Sequence, residues 1–385
     1  MGGRTSNRGR NLANAKDNCQ SGIDHQPALP QYCVPRMNTH GMTRRHFGRA
    51  LAVSVAGLTT RGAVSFGTES SPIASAVRTF INTCARKDGS YAPSPDPTYA
   101  GNSDTGASDL AAVTYAATLA KTMAWKLPHR SRSIDFIRKH QRSDGAFANH
   151  AGTMKPDSDL AILYNTVQGV VALRALGAKP SIDPVRVMDR FFAGDTFTKL
   201  PWYTTSFFPL FYAALDAPFP EHQKTALSRW QLDHQADDGY LGDHIAATFH
   251  LVHYLRLIQQ PVPKADRMLA RVISDQTPEG GWNIKEPDWD VHACFDAVYV
   301  LRQLGQANHL AQQAINRAAH WAMGCRTQDG GFGHYPGWHG DMDAVYFQFG
   351  TLIEAGITPP PRSLPDAHRL SWGHAMEPGV TYGRG

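Results

Sequence analysis

Aspartates stand in pairs shortly before, or just inside, several apolar stretches of this sequence. Three pairs have the spacing Asp-x-Asp and comprise Asp157 with Asp159, Asp288 with Asp290, and Asp341 with Asp343. Carboxylates crowded into one pocket raise each other's pKa, so such a cluster can hold a proton for acid catalysis or bind a cation. Each aspartate also has a structural alternative, because Asp is among the best caps for the free N–H groups at a helix start.

The carboxylates belong to a unit that recurs along the chain. A turn of the form Asp-Gly or Glu-Gly appears five times, and an aromatic residue follows each one. A recurring unit of this size indicates an array, and the Gly supplies the positive φ that each chain reversal needs. We interpret the aromatic residues as packing between neighbouring units. They are Tyr91, Phe147, Tyr240, Trp282 and Phe332.

Each unit contains two helical patterns. The first is amphipathic and the second is apolar nearly all round, which predicts six buried helices inside six half-exposed ones. The sequence therefore predicts an all-α fold, an α/α toroid of six inner and six outer helices. The predicted pairs are 73–85 with 109–124, 129–141 with 159–176, 183–193 with 204–215, 221–235 with 243–259, 263–275 with 291–305, and 309–325 with 342–355.

The charge of the chain is unevenly distributed. Residues 1–61 carry eight Arg, one Lys and two Asp, so a total of +5 leaves −2 for the remainder. A nucleic-acid surface on the folded part is therefore not expected. No apolar run is long enough to span a membrane, and the five cysteines form neither a CxxC motif nor a disulfide pattern.

The N-terminal segment has the pattern of a targeting signal. We interpret residues 1–41 as disordered or as preceding the true start, and residues 42–67 as a twin-arginine-type signal built on Arg44, Arg45 and Phe47. The toroid then occupies residues 68–358, and residues 359–385 form a Pro/Gly-rich tail. This organisation predicts export to the periplasm or beyond; the alternative is a basic tail on a cytoplasmic protein.

The turn itself resembles a known repeat. A QxxDGGF turn followed by an acidic loop and an apolar helix is similar to the repeat of protein prenyltransferase β subunits and squalene cyclases. The resemblance covers roughly residues 70–356 and implies an α/α toroid around a central apolar funnel. In such toroids the loops before the inner helices open onto one mouth. The match closest to the pattern is Gln328, Asp329, Gly330, Gly331 and Phe332.

Two sites of the prenyltransferases can be sought in this sequence. Their zinc site implies a metal at Asp290, His292 and Cys294, all good zinc ligands. The His expected on the next inner helix is missing, because its position holds Tyr346 or, counted from Gly330, Ala344. Their diphosphate site implies substrate contacts from His244, Thr248, Phe249 and Lys285. An acidic mouth would repel a diphosphate, which needs cationic partners.

The squalene-type cyclases suggest a third site, because their DxDD motif contains a buried Asp that protonates an alkene or epoxide. The sequence retains the first half of that motif at Asp288 and Asp290 and again at Asp157 and Asp159. A raised pKa would suit such an acid. We expect Asp288, Asp290 and Asp343 to be the catalytic candidates, and expect substrate contacts from Tyr346, Asp157, Asp159 and Asp341.

The leading hypothesis is a toroid that binds or transforms an isoprenoid or another apolar small molecule in its funnel. If active, it would be a prenyltransferase-like transferase or a terpenoid cyclase, and zinc is the only cofactor that the resemblance suggests. No α-subunit partner is evident within the chain. One alternative is a binding toroid that has lost its chemistry. Another is a glycan hydrolase or lyase, because paired carboxylates also suit that reaction.

Overall fold

A computed structural model describes residues 71–285, 288–289 and 291–361, with the backbone alone for 284, 285, 288, 289 and 291. The predicted signal segment at 42–67, the residues before it and most of the tail lie outside the described residues. The described residues form thirteen α-helices: α1 (Pro72–Cys84), α2 (Ser103–Ala107), α3 (Ala111–Thr122), α4 (Arg130–Lys139), α5 (Asp159–Ala175), α6 (Val185–Phe192), α7 (Phe207–Ala214), α8 (Glu221–Asp233), α9 (Ile245–Leu257), α10 (Ala265–Ser274), α11 (Val291–Leu304), α12 (His309–Gly324) and α13 (Met342–Glu354).

Six of these helices form an inner ring. Helices α3, α5, α7, α9, α11 and α13 each contact the next in this order, and α13 returns to contact α3, which closes the ring. The outer helices α1, α4, α6, α8, α10 and α12 alternate with them along the chain, and α10 and α12 pack against α11. The predicted all-α toroid and its six helix pairs are confirmed. The end of the ring at which the inner helices begin is called the mouth.

The difference between inner and outer helices follows from their sequences. In α5 every residue from Ala161 to Leu173 is buried, as its largely apolar sequence predicts. In α10 the buried residues are confined to one stripe, Met268, Leu269 and Val272. The apolar area removed from water by the inner ring is the main source of its stability.

The repeated turns connect neighbouring units. Gly239 has a φ of +91°, and a Cβ at this position would lie 2.7 Å from the Cβ of Met268 on the next outer helix, so only Gly fits. The amide of Gln235 donates to the carbonyl oxygens of Gly239 and Pro263, at 2.9 and 3.1 Å. The aromatic residue of the turn, Tyr240, is buried. The amide of Gln235 and the close approach of Gly239 to Met268 thus tie this helix pair to the next.

Three features depart from the simple pattern. The third pair has short helices, α6 and α7, joined by 3₁₀ turns at Ala193–Lys199 and Trp202–Thr204. Strands β1 (Asn283–Lys285) and β2 (Asp288–Trp289) form a small antiparallel ribbon before α11. Helix α2, which the sequence pattern did not predict, lies between α1 and α3 and contacts α13 at the mouth. Among the described residues, no helix combines the length and apolarity needed to cross a membrane.

Candidate functional site

The start of α13 carries two buried carboxylates. Asp341 is the N-cap, and its Oδ1 accepts hydrogen bonds from the backbone N–H groups of Asp343 and Ala344, at 2.6 and 3.4 Å. The hydroxyl of Thr105 on α2 donates to Asp341 Oδ2 at 3.1 Å. Asp341 thus has the capping role that its position predicts. Asp343, in the first turn, leaves its side chain for contacts across the mouth.

Two histidines meet Asp343. His292 Nε2, from the start of α11, lies 3.1 Å from Asp343 Oδ2 and 3.2 Å from Oδ1. His334 Nε2, from the loop after the last turn, lies 3.6 Å from Asp343 Oδ2 and 3.7 Å from Asp341 Oδ1. Asp343 and Asp341 are fully buried and His334 is nearly so, whereas the side chain of His292 is 17% exposed. His292 therefore connects the buried carboxyl to the space outside.

A third carboxylate comes from α2. Asp104 accepts a hydrogen bond from the hydroxyl of Tyr115 on α3, and the ring of Tyr115 stacks on Tyr346 with centroids 4.4 Å apart. Ligand atoms of Asp104, His292 and Asp343 all lie within 4.8 Å of one another. We call Asp104, His292, His334, Asp341 and Asp343 the acid cluster.

Burial controls the protonation of the cluster. It raises the pKa of Asp343 to about 6, since the charge and hydrogen bond of His292 offset only part of the desolvation and the charge of Asp104 adds to it. Burial alone would lower the pKa of His334, but the nearby carboxyl groups of Asp341 and Asp343, 3.7 and 3.6 Å from its Nε2, raise it. These groups exchange protons as a unit. Asp343 is consequently a carboxylic acid below about pH 6 and a carboxylate above it.

Aromatic rings extend inward from the acid cluster. The ring of Phe347, one helical turn after Asp343, lies 3.9 Å from that of His292 and 5.9 Å from that of Phe295. Phe295 lies 6.2 Å from Phe249 on α9. All three phenylalanines are fully buried. Such π faces attract a positive charge.

The sequence prediction placed other residues at the mouth that the structure does not bring to the acid cluster. The side chain of Asp157 is 82% exposed and pairs with Arg142 at 2.8 Å. Asp159 is 41% exposed and pairs with Arg190 on α6, also at 2.8 Å. Both aspartates make ion pairs beside solvent, and neither belongs to the groupings of possible metal ligands found among the described residues.

Three of the four residues expected at a diphosphate also have local partners. His244 is the N-cap of α9, and its Nδ1 accepts from the N–H groups of Ala246 and Ala247, at 3.2 and 3.4 Å. Thr248 donates to the His244 carbonyl oxygen at 2.9 Å and accepts from Leu241 N–H at 3.1 Å. The ring of Phe249 packs near that of Phe295, with centroids 6.2 Å apart. Lys285 and Asp288 lie in the ribbon with backbone alone described, and Asp290 lies outside the described residues.

The predicted metal site has three residues, and the structure describes the side chains of two, His292 and Cys294. Of its three residues, His292 belongs to the acid cluster, where Asp104, His292 and Asp343 form one group of possible ligands. His334, Asp341 and Asp343 form a second group. Cys294 is fully buried, and burial together with the charges of Cys325 and Asp296 raises the pKa of its thiol well above the usual range. Cys294 belongs to neither of these groups, whose imidazole and carboxylate ligands suit zinc.

Three members of the acid cluster's surroundings were not singled out from the sequence. Phe347 follows Asp343 by four residues, a spacing that places both on one helix face. His334 follows the aromatic residue of the last turn by two residues, which was the available signal. The position of Asp104 depends on α2, whose five residues carry no helical periodicity.

The ring, its turns and the acid cluster define an α/α toroid with a buried acid at its mouth. The prenyltransferase alpha-alpha toroid domain matches residues 53–187 and 201–369, and the chain belongs to this family. No curated protein matches it.

Solved structures of similar fold include a diphosphate synthase, a protein geranylgeranyltransferase and a terpene cyclase. The ent-copalyl diphosphate synthase from Streptomyces platensis is 17% identical with a TM-score of 0.46, over 64% of this chain and 50% of that chain. This chain therefore spans half the length of that synthase. The Candida albicans protein geranylgeranyltransferase-I, complexed with GGPP, is 15% identical with a TM-score of 0.49, over 74% and 92%. A variant of the type II terpene cyclase MstE from Scytonema, in complex with geranylgeranyl dihydroxybenzoate, is 13% identical with a TM-score of 0.48, over 74% and 96%.

Proposed function

We propose that this toroid is a terpenoid cyclase that starts its reaction by protonating an isoprenoid. The observation that carries the proposal is Asp343, a fully buried carboxyl group whose pKa burial raises to about 6. A general acid works best when its pKa lies near the operating pH. Asp343 satisfies this condition at mildly acidic to neutral pH.

The proposed first step is a proton transfer. The O–H of Asp343 breaks, and the proton adds to a terminal double bond or to the oxygen of a terminal epoxide. The resulting tertiary cation is attacked by the next double bond of the same chain, so that a ring C–C bond forms and the positive charge moves along the chain. The final cation loses a proton or captures water. In the former case the product is an isomer of the substrate.

His292 fits a supporting role in this step. Its imidazole hydrogen-bonds to both oxygens of Asp343, and it is the partly exposed member of the pair. It stabilises the carboxylate that remains after proton transfer, and it offers a path by which solvent restores the proton. The aromatic rings of Phe347 and Phe295 then lie where a cation passing inward would meet π faces.

The charged groups around Asp343 favour a reaction that starts by protonation over one that uses a diphosphate substrate. The described side chains that contact Asp343 are imidazoles, and the nearby charged groups are the carboxylates Asp104 and Asp341. A diphosphate requires cationic partners, and buried carboxylates would repel it. We therefore propose as substrates neutral isoprenoids, such as polyprenyl alcohols, squalene or their terminal epoxides.

The two groups of possible metal ligands favour a second candidate function, in which the toroid is a zinc-dependent enzyme. Bound zinc would act as a Lewis acid, with Asp104, His292 and Asp343 as the residues that hold it. In that case Asp343 would be a carboxylate at every working pH. Metal content therefore distinguishes the two candidates: zinc bound stoichiometrically by the wild type and lost in His292→Gln favours the second.

The experiment that tests the proposal is turnover in heavy water. Purified full-length protein is incubated with geranylgeraniol, squalene and their terminal epoxides, and products are identified by mass spectrometry. We expect a cyclised product, with one deuterium bound to carbon when an alkene is protonated. Asp343→Asn should abolish it, whereas Asp266→Asn, an exposed aspartate in the first turn of α10, should not. Tight binding without conversion would contradict the proposal and favour a binding toroid.

A further inference from the structure

A cavity lies at the end of the ring opposite the mouth, where the inner helices α3 and α5 end. Its volume of about 480 Å³ lies within the range of ligand-binding pockets. The second half of α3, the loop that follows it, the first residue of α4 and the end of α5 form its walls. No member of the acid cluster lines it. The cavity is therefore separate from the candidate active site.

The interior of this cavity is apolar. Ala117 and Ala120 on α3 line it together with Ala175 at the end of α5, and these small side chains leave space between the two helices. Trp125 forms another wall, and its ring stacks on that of the buried Phe349 from α13, with centroids 5.9 Å apart. This contact holds the indole in place. The cavity thus offers a hydrocarbon chain an apolar surface with one fixed aromatic wall.

Three cations lie on the open side of the cavity. Lys121 is in the last turn of α3 and half-buried, whereas Lys126 and Arg130 are exposed. The described residues that line the cavity include no Asp or Glu. Within the described part of the chain, neither lysine forms an ion pair or a hydrogen bond through its ammonium group. Three positive charges therefore border an apolar interior without a carboxylate to neutralise them.

Helix stability explains only part of this charge. Lys121 offsets the negative end of the α3 dipole, and Arg130 Nη2 donates to the carbonyl oxygen of Leu176, which ties α4 to α5. Lys126 lies outside the helices and has neither role. Arg174, in the last turn of α5, shows the usual alternative, since it forms an ion pair with Asp216. The guanidinium of Arg130 keeps further N–H donors for a ligand.

We infer that this cavity binds a single-chain amphipathic phosphate. The phosphate would lie among Lys121, Lys126 and Arg130, and the chain would pack against Trp125 and the alanines. A phosphate monoester suits this site better than a carboxylate, because it offers more charge and more acceptor oxygens to several cationic donors. The inference goes beyond the proposed function, since the site is remote from Asp343 and its occupation requires no turnover.

The test is direct binding to the full-length protein, measured by isothermal titration calorimetry. The probe is dodecyl phosphate below its micelle-forming concentration, and the matched probes are inorganic phosphate, which lacks the chain, and dodecanol, which lacks the charge. We expect one dodecyl phosphate per chain, bound at least about tenfold more tightly than either matched probe. Added salt should weaken the binding, because the cations are partly exposed.

Matched variants locate the site. Lys121→Gln combined with Lys126→Gln should weaken the binding of dodecyl phosphate by about tenfold or more. The control combines Lys155→Gln with Lys199→Gln, two exposed lysines that do not line the cavity. It changes the net charge by the same amount and should match the wild type. Ala175→Phe fills the cavity and should prevent binding, with thermal unfolding used to verify that each variant is folded.

Several outcomes would overturn the inference. They are failure of the wild type to bind dodecyl phosphate, equal affinity for inorganic phosphate or for dodecanol, and unchanged affinity in both cavity variants. Attachment to vesicles that contain phosphatidic acid, without binding of monomeric dodecyl phosphate, would assign the cations to a membrane surface instead. Should the variants fail to fold, the comparison of the three probes with the wild type still tests the inference. None of these measurements depends on cyclisation, so the proposed function stands or fails separately.

Discussion

Two Asp-x-Asp pairs at the starts of inner helices have opposite surroundings. Asp341 and Asp343 on α13 are fully buried among histidines, whereas Asp157 and Asp159 on α5 pair with arginines beside solvent. The helix cap accounts for the difference. Asp341 is itself the N-cap of α13, but in α5 the cap is Ser158, between the two aspartates. A shift of one residue rotates a side chain by about 100°, which separates the funnel side from the outer side.

The helices packed beside the two aspartate pairs, α2 and α6, increase the difference between their surroundings. Helix α2 lies over α13, where Thr105 donates to Asp341 and Asp104 adds its charge. At α5 the neighbour is the outer helix α6, whose Arg190 reaches Asp159. One pair is therefore desolvated among polar groups that share protons, and the other is ion-paired in water. The same residue spacing yields an acid in one place and a surface salt bridge in the other.

Among the substitutions that test the contrast between the two pairs, Asp343→Asn should have the largest effect, which is on turnover. Asp343→Asn keeps the shape of the buried carboxyl but has no acidic proton, and we expect cyclisation to fall about 1000-fold. Asp159→Asn, the matched change at α5, should leave turnover within about twofold, since its contacts are with Arg190 and solvent. Initial rates of product formation measure both. Equal losses in the two variants would contradict the assignment.

The next effect is on stability and its pH dependence. Because folding raises the pKa of Asp343 from 3.8 to about 6, the native state holds this proton more tightly than the unfolded chain. The stabilisation is present at low pH and is lost as pH rises between these values. At pH 8 we expect Asp343→Asn to raise the free energy of unfolding by up to about 3 kcal/mol, and at pH 4 by little. Urea unfolding at the two pH values measures it; an unchanged difference would be incompatible with a raised pKa.

A smaller effect concerns the two neighbours that shift the pKa of Asp343 in opposite directions. His292 lowers the pKa of Asp343 and Asp104 raises it. His292→Gln should therefore raise this pKa by about 1, and Asp104→Asn should lower it by about as much. The carboxyl carbon of Asp343, followed by NMR of carbon-13-labelled protein, reports each value. The upper-pH limb of the rate profile should move with it, because turnover needs the protonated form. Shifts in one common direction would refute the proposed electrostatics.

The smallest effect belongs to the exposed pair. Arg190→Gln removes the partner of Asp159 at a site where both side chains are more than 40% exposed. Exposed ion pairs contribute little, and we expect a loss of about 0.5 kcal/mol at low salt and less at high salt. Thermal unfolding at two salt concentrations tests this expectation. A loss comparable to the effect at Asp343 would show that burial does not separate the two pairs.

The helices were the most predictable part of the molecule. Twelve ring helices were located within a few residues because apolar periodicity and the Gly turns are local signals, and the φ of +105° at Gly280 and +88° at Gly330 agree with the predicted reversals. The acid cluster was predictable only in part. Asp341, Asp343 and His292 were named, but α2 and the loop bearing His334 have no periodic pattern, so nothing local placed them over α13.

The sequence by itself determined the ring, because repeated turns and uniformly apolar helices leave few other ways to bury that surface. It also fixed which residue types stand at the mouth. Only the tertiary structure decided which aspartate is an acid, since a pKa depends on burial and on charges from distant segments. Asp343 meets groups from α2, α11 and the loop at His334, and no spacing along the chain encodes that encounter.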